Sequence, residues 1–173
     1  MKSILTFIMK AILIYTSLAL SAAQTWGQAI SVPTFGPIVN NPSVIDLTTG
    51  QTFGQGNSWK VTGSGSSVDV IGGLWQSPDG LQNVDMDGFT VGQITTTITI
   101  PTAGNVTVDF WLSGNNGGAP GIKTLGIALG SSHQQVTYNA TANSYANMNW
   151  TTVSLVFAGQ SAGQESQIGR AHV

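Results

Sequence analysis

The sequence predicts an all-β domain built as a two-sheet antiparallel β-sandwich. Several short segments alternate apolar and polar residues with a period of two, which is the pattern of half-buried strands. Turns rich in glycine separate these segments at near-regular spacing, and 22 of the 173 residues are Gly. Beyond the apolar N-terminal stretch, no segment keeps a helical period. Many short strands joined by such turns favour two packed sheets.

The N-terminal residues predict a secretory signal peptide. Lys2 and Lys10 flank the apolar run Ile4–Leu20, and small residues follow it up to Ala23. We expect cleavage after Ala23, a leader over residues 24–37 and the domain over residues 38–167. The alternative is an uncleaved membrane anchor, but the run is short and Lys10 interrupts it, whereas a spanning helix needs about 20 apolar residues.

The first strands of the domain are expected to be short, and the clearest strand comes later. Residues 93–100 place Ile94, Thr96, Ile98 and Ile100 on one face and threonines on the other. The short candidates before it are residues 59–62, 68–72 and 83–86.

A second strong strand follows the turn at residues 101–105. Residues 106–113 direct Val106, Val108, Phe110 and Leu112 to one side, so the two strands are expected to form an antiparallel hairpin. The remaining predicted strands are residues 123–129 (core residues Leu125, Ile127 and Leu129), 135–140 (Val136 and Tyr138 half-buried) and 150–157 (Val153, Leu155 and Phe157 inward).

The C-terminus is expected to be incomplete. Residues 168–173 show no strand alternation, and this hexapeptide resembles a translated sequencing-library adapter. The alternative is a genuine disordered tail. Because the last clear strand ends at Phe157, the domain is predicted to lack its C-terminal strand, which would leave an unpaired sheet edge.

Composition excludes several classes of protein. Only 7% of the residues are charged and the net charge is -2, so the scattered basic residues cannot neutralise a run of phosphates, and nucleic-acid binding is not expected. The absence of Cys excludes disulfides, thiolate zinc sites and cysteine nucleophiles. A charged coiled coil is excluded as well.

One ordered set of short segments resembles a known family. The segments are Ser58–Thr62, Ser67–Gly72, Leu74–Gly80, Asn83–Gly88, Val108–Asn115, Ile122–Leu125 and Met148–Thr152. Together they resemble the choice-of-anchor C family of exported bacterial proteins, which is related to plant cell-wall proteins of undefined function. The resemblance implies a galactose-binding-like jelly-roll sandwich, association with the cell surface and affinity for carbohydrate. The family's opening Glu is missing from Val39–Val44, and its closing strand and sorting anchor are absent.

Aromatic residues are the first candidates for a binding site, because sugar-binding proteins stack pyranose rings on exposed aromatic side chains. Trp111 falls on the outward face of its strand, and Trp75 lies in a loop flanked by Gly and Pro. The alternative is that these side chains pack in the core, which we favour for Trp59 and Trp150. The predicted carbohydrate-binding residues are Trp75, Trp111, Gln76, Asp79, Asp109 and Asn115.

Asp79, Asp85 and Asp87 form an acidic stretch that could hold a structural Ca²⁺, which takes six to eight oxygen ligands. Their spacing does not match an EF-hand, so solvated turn-forming aspartates are the alternative. No catalytic residues or other cofactor are predicted, because the only Glu is Glu165 and no pair of carboxylates stands out.

The sequence therefore predicts a secreted, non-catalytic module that binds polysaccharide at the cell surface or in the extracellular matrix. The mature form is not expected to span a membrane. The alternatives are a structural or adhesive surface protein without a sugar site and, less favoured, a carbohydrate hydrolase.

Overall fold

The computed structural model describes residues 5–9, 28, 33–35, 44–75, 77–78, 82–115 and 120–172; for residues 5–9, 165–168 and 170–172 only the backbone is described. The described residues are all-β, with 60% strand and 3% helix. Its only helical element in this part is a 3₁₀ turn at Gln55–Asn57. The strands are β1 (Leu5–Met9), β2 (Val44–Thr48), β3 (Thr52–Phe53), β4 (Trp59–Val61), β5 (Ser67–Ile71), β6 (Asn83–Asp85), β7 (Gln93–Ile100), β8 (Gly104–Gly114), β9 (Ile122–Leu129), β10 (Ser132–Asn139), β11 (Thr151–Gln160) and β12 (Gly163–His172).

These strands form two six-stranded sheets in which neighbouring strands are antiparallel. The first sheet has the order β11-β8-β1-β6-β5-β2, and the second has the order β10-β9-β12-β7-β4-β3. The all-β antiparallel class predicted from the sequence is therefore confirmed. No helix among the described residues is long and apolar enough to cross a membrane.

The hydrophobic core draws side chains from both sheets. The apolar faces predicted for β7, β8 and β9 are all buried, including Ile98, Phe110 and Ile127. Thr96 shares the buried face of β7, and its hydroxyl donates to the carbonyl of Ser58 at 2.8 Å, which satisfies a polar group inside the core. The period-two pattern thus identified the core faces of these strands correctly.

The predicted hairpin between β7 and β8 is wrong. These strands lie in different sheets, and β7 pairs with β12 and β4 whereas β8 pairs with β11 and β1. The turn after Ile100 carries the chain from one sheet to the other. The apolar faces of β7 and β8 are buried in the same core. Two such strands can either pair with each other or lie in different sheets, and the alternation of apolar and polar residues is the same in both cases.

A strand follows Phe157, contrary to expectation. Residues Gly163–His172 form β12, which pairs with β7 on one side and β9 on the other. Backbone pairing on both sides does not require side chains that alternate between apolar and polar. The prediction that no strand closes the domain after Phe157 is therefore wrong for this chain, while the adapter origin of residues 168–173 stays a prediction.

Residues of the predicted leader contact the core. Phe35, which belongs to the predicted leader, is 1% exposed and packs against Phe53 and Trp59 at ring-centroid distances of 5.7 and 5.2 Å. The indole Nε1 of Trp59 donates to the carbonyl of Pro33 at 2.9 Å. Phe35 thus packs into the core, and the indole of Trp59 bonds Pro33, upstream of the boundary predicted at residue 38. That boundary stays a prediction.

The predicted signal peptide also contributes a strand. β1 lies between β8 and β6, with Thr6 opposite Ser113 on one side and Asp85 on the other. Cleavage after Ala23 would remove this strand and leave β6 and β8 each without one neighbour. Export and cleavage stay predictions.

Candidate functional site: an aromatic face and a buried acidic cluster

The outward face of the first sheet carries the candidate binding residues. In β8 the side chains of Val108, Phe110 and Leu112 point into the core, so Asp109 and Trp111 point outward. Both are half-buried. Trp111 is opposite Thr152 of β11. Ser113, two residues further along the same face of β8, contacts Asn143 of the loop at residues 141–150. The orientation predicted for Trp111 is confirmed.

Trp75 is not the exposed sugar-stacking side chain that the sequence predicted. Its side chain is 2% exposed and packs with Ile71 and Met148, and Trp150 contacts the same small cluster. Tyr145 covers it, with ring centroids 6.1 Å apart and an interplanar angle of 16°. A Gly- and Pro-flanked loop suggested exposure, but a second loop closes over the indole.

Tyr145 takes the exposed position instead. Its side chain is 52% exposed although its ring lies against the buried indole of Trp75. The ring of Tyr145 therefore presents a flat, partly exposed apolar surface that is backed by the indole of Trp75. We call Tyr145, Trp75, Trp111 and Trp150 the aromatic face.

A hydrogen-bond network centred on Asn143 holds this loop in place. The Asn143 Nδ2 group lies 3.1 Å from the hydroxyl of Ser113, 2.6 Å from the carbonyl of Gly114 and 2.9 Å from the carbonyl of Met148. Its Oδ1 atom accepts from the hydroxyl of Tyr138 at 3.2 Å. Asn143 is 3% exposed, so these bonds form away from water, where an unmade one is costly.

The same loop makes further polar contacts. The hydroxyl of Ser113 also donates to the carbonyl of Met148, and Asn149 Nδ2 donates to Asn143 Oδ1 at 3.1 Å. Asn149 has a φ of 46°, a left-handed conformation that Asn tolerates better than most residues. Trp150 follows directly and leads into β11, so this turn sets where Trp150 and Tyr145 lie.

A row of aspartates crosses three neighbouring strands of the same sheet. Asp46 of β2 is opposite Asp69 of β5, and Asp69 is opposite Asp85 of β6. Asp46 is exposed, whereas Asp69 is 8% and Asp85 1% exposed. Like charges directly opposite each other in a sheet are destabilising, so this row carries an electrostatic cost when ionised.

This environment shifts the pKa of Asp85. Burial raises the pKa of Asp85 well above its usual range; the backbone N–H of Asp87, which donates to Asp85 Oδ1 at 3.1 Å, acts in the opposite direction. The negative charges of Asp69 and Asp87 raise the pKa further, and the positive charge of Lys123 lowers it.

The predicted residues are only partly brought together. Asn115 is 1% exposed at the end of β8, so it is buried rather than presented to a ligand. Gln76 and Asp79 lie outside the described residues. Asp85 and Asp87, which are separated by Met86, are both buried, but no group of three acidic or His side chains in the described ranges is placed to hold a metal ion. The calcium site at Asp79, Asp85 and Asp87 stays a prediction.

Sequence reasoning missed three residues that organise these two regions. Tyr145 is an aromatic residue within an otherwise polar loop, and that contrast could have identified it. Lys123 shares the inward parity of Leu125 and could have been recognised as a cation directed into the core. No local sequence pattern identifies Asn143 as a buried residue, because its hydrogen-bond partners Ser113 and Tyr138 lie in β8 and β10.

The comparisons with known proteins identify no relative. No family model, no curated protein and no solved structure matches this chain. The resemblance to the choice-of-anchor C family therefore stays a prediction.

Proposed function

We propose that this chain is a secreted, non-catalytic β-sandwich module that binds polysaccharide through the aromatic face. The two sheets would be the two layers of a galactose-binding-like jelly roll, and the mature protein would act at the cell surface. A signal-peptide-like N-terminus and the family resemblance support this location.

The observation that carries the proposal is the stack of Tyr145 on Trp75. Tyr145 is 52% exposed and backed by an indole that is 2% exposed. The C–H face of a pyranose ring packs well on a flat aromatic ring that does not have to be ordered on binding. The neighbouring polar side chains of Ser144 and Asn147 are exposed in the same loop and suit sugar hydroxyls.

A hydrolase is less well supported. A glycosidase acid with a raised pKa must contact the glycosidic oxygen. Asp85 has the raised pKa, but it is 1% exposed, which leaves no room for a sugar against its carboxyl group. The acidic cluster is therefore better suited to a structural role than to acid catalysis.

An adhesive function is the second candidate, and Phe89 is the observation that favours it. Its side chain is 62% exposed in the loop after β6, which is more than any other large hydrophobic residue described. An exposed aromatic ring can anchor a protein contact as well as a sugar.

A glycan array tests the proposal and separates the candidates. The purified secreted protein should bind at least one class of polysaccharide, and the Tyr145→Ala variant should lose that signal. Phe89→Ala should leave the array signal unchanged under the proposed function. An array without signal, together with self-association that Phe89→Ala abolishes, would favour the adhesive function instead.

A further inference from the structure

One end strand of the first sheet carries no charge. β11 pairs with β8 on one side, and among the described residues no strand pairs with its other edge. The strand contains no charged residue, and the side chain of Val156 is 44% exposed. The opposite end strand, β2, exposes the carboxylate of Asp46. Charged side chains help to keep an edge strand from pairing with another chain, and β11 lacks this protection.

The backbone groups of Val156 point away from β8. Val156 is opposite Thr107, whose N–H donates to the carbonyl of Gln28 at 3.3 Å. Because β11 already occupies one edge of β8, Gln28 lies at the other edge. Opposite residues in an antiparallel pair either exchange their hydrogen bonds or both point away, so Val156 points to the free edge of β11. The side chain of Gln134 in β10 agrees with this, since its Nε2 donates to the Val156 carbonyl at 2.7 Å.

Ser154 is the middle residue of the regular part of this edge. Regular pairing with β8 runs from Thr151 to Phe157, and the register shifts beyond it. Backbone groups alternate in direction along a strand, so those of Thr152 and Ser154 point the same way as those of Val156. The free edge therefore presents outward-pointing N–H and C=O groups on both sides of Ser154 and at Ser154 itself.

The core is incompletely covered beside this edge. Val153 and Leu155 face the core but are half-buried, whereas Phe157 is 1% exposed. Val136 and Tyr138 of β10, the end strand of the second sheet, are also half-buried against the core. Apolar side chains from a strand added beside β11 would cover more of this surface, and that burial is favourable.

We propose that β11 binds β11 of a second copy of this chain, antiparallel about a two-fold axis at Ser154. The symmetry places Ser154 opposite Ser154 of the partner subunit. It also places Thr152 opposite Val156 of the partner subunit and Val153 opposite Leu155 of the partner subunit. The first sheets of the two copies then form one continuous sheet. This inference does not depend on carbohydrate binding.

A second copy suits this edge because the strand is complementary to itself. In this register the outward-pointing backbone groups meet in hydrogen-bonded pairs, and Val153 meets Leu155 on the core side. The strand has no charge, so two identical edges do not repel each other. The bond from Gln134 to Val156 lies at the exposed surface, so exchanging it for a backbone hydrogen bond costs little. A two-fold contact of one patch with itself is the commonest arrangement in homo-oligomers.

Analytical ultracentrifugation of the purified full chain over a concentration series tests the proposal. The wild-type protein should form a reversible dimer. Ser154→Lys, at an exposed position, would place two ammonium groups opposite each other and should weaken dimerisation by about tenfold. Thr97→Lys is the matched control, because Thr97 is exposed on β7 inside the second sheet, and it should dimerise like wild type. Phe89→Ala should do the same.

Single-cysteine variants locate the contact. The chain has no Cys, so each variant carries one thiol. Residues in a hydrogen-bonded antiparallel pair have Cα atoms about 5.5 Å apart, a separation that a disulfide can bridge. Ser154→Cys should therefore give a disulfide-linked dimer on mild oxidation. Thr97→Cys, treated at the same concentration, should remain largely unlinked.

Three results would overturn the proposal. A wild-type protein that is monomeric at every concentration would show that the edge stays unpaired. A dimer that Phe89→Ala weakens and Ser154→Lys does not would place the contact outside β11. Equal disulfide yields for Ser154→Cys and Thr97→Cys would show that the two strands do not meet at Ser154. Ser154→Cys replaces one small side chain with another, so it decides the matter even if Ser154→Lys fails to fold.

Discussion

Asp69 and Asp85 face each other directly across β5 and β6, and both side chains are buried. Asp46 continues the row on the next strand. Burial raises the pKa of Asp85, and the negative charge of Asp69 raises it further, so the folded chain binds this proton more tightly than the unfolded chain does. The stability of the folded chain is therefore expected to depend on pH through Asp85.

The first prediction is that Asp85 makes stability fall as pH rises. Its folded pKa is raised, so the folded chain binds the proton more tightly than the unfolded chain. The stabilisation is full below the ordinary pKa of an aspartate and is lost as pH rises through the raised value. One such proton changes the free energy of unfolding by up to about 1.4 kcal/mol per pH unit.

Urea unfolding at a series of pH values measures this slope. Asp85→Asn, which keeps the shape but cannot ionise, should show a flatter dependence over the same range. The slope rather than the absolute stability is the readout, because the substitution also changes local packing. Identical slopes for Asp85→Asn and wild type would contradict the assignment of the proton to Asp85.

The second prediction concerns Gly92, where a side chain has no room. A Cβ atom there would lie 2.5 Å from Val68 Cγ1 and 2.6 Å from the carbonyl oxygen of Ser67. Gly92→Ala should therefore lower the free energy of unfolding by about 1–3 kcal/mol, as overpacking does. Gly73 has open space around it, so Gly73→Ala is the matched control and should stay within about 0.5 kcal/mol of wild type. Equal urea midpoints for the two variants would show that Gly92 is not constrained.

The third prediction concerns Trp59, which is 0% exposed and ties residues 33–35 to the core. Trp59→Phe removes the hydrogen bond to Pro33 and leaves a cavity beside Phe35. We expect a loss of about 2–4 kcal/mol in unfolding free energy and earlier proteolytic cleavage near residue 33. Lys60→Ala, at the exposed neighbouring position, should change neither quantity measurably. Unchanged proteolysis in Trp59→Phe would mean that Pro33–Phe35 do not depend on the indole.

The fourth prediction concerns Asn143, which holds the loop of Tyr145. Asn143→Ala leaves the carbonyls of Gly114 and Met148 without this donor, so unfolding free energy should fall by about 1–3 kcal/mol. The intrinsic tryptophan fluorescence, to which Trp75 contributes, should also change as Tyr145 moves away from Trp75. Asn147→Ala, in the exposed part of the same loop, is the control and should leave the fluorescence unchanged. A stable Asn143→Ala variant with wild-type fluorescence would exclude this role.

The strands that alternate most strictly could be predicted from the sequence. The alternation over residues 93–100 predicts a strand with the same bounds as β7, because isoleucines on one face and threonines on the other fit a strand with one buried and one exposed side. The core faces of β8 and β9 were identified for the same reason. Strand partners were not, because partnership depends on which sheet each strand enters.

The candidate site was harder to predict because its key features come from distant segments. Trp75 is buried by Tyr145, which lies 70 positions later in the chain, and no local pattern reports that contact. β12 is held by backbone pairing with β7 and β9, so its irregular side chains gave no signal. Only Asp109 and Trp111, whose orientations follow from strand parity in β8, could be placed from the sequence.

Affinity electrophoresis in gels containing the polysaccharide found on the array tests the proposed function most directly. The wild-type protein should be retarded, and Tyr145→Ala should weaken the apparent affinity by about tenfold, because it removes the exposed ring that stacks on the sugar. Phe89→Ala, which removes an exposed ring outside the aromatic face, should migrate like wild type. Equal retardation of Tyr145→Ala and wild type, or no retardation of wild type by any polysaccharide, would contradict the proposal that the aromatic face binds carbohydrate.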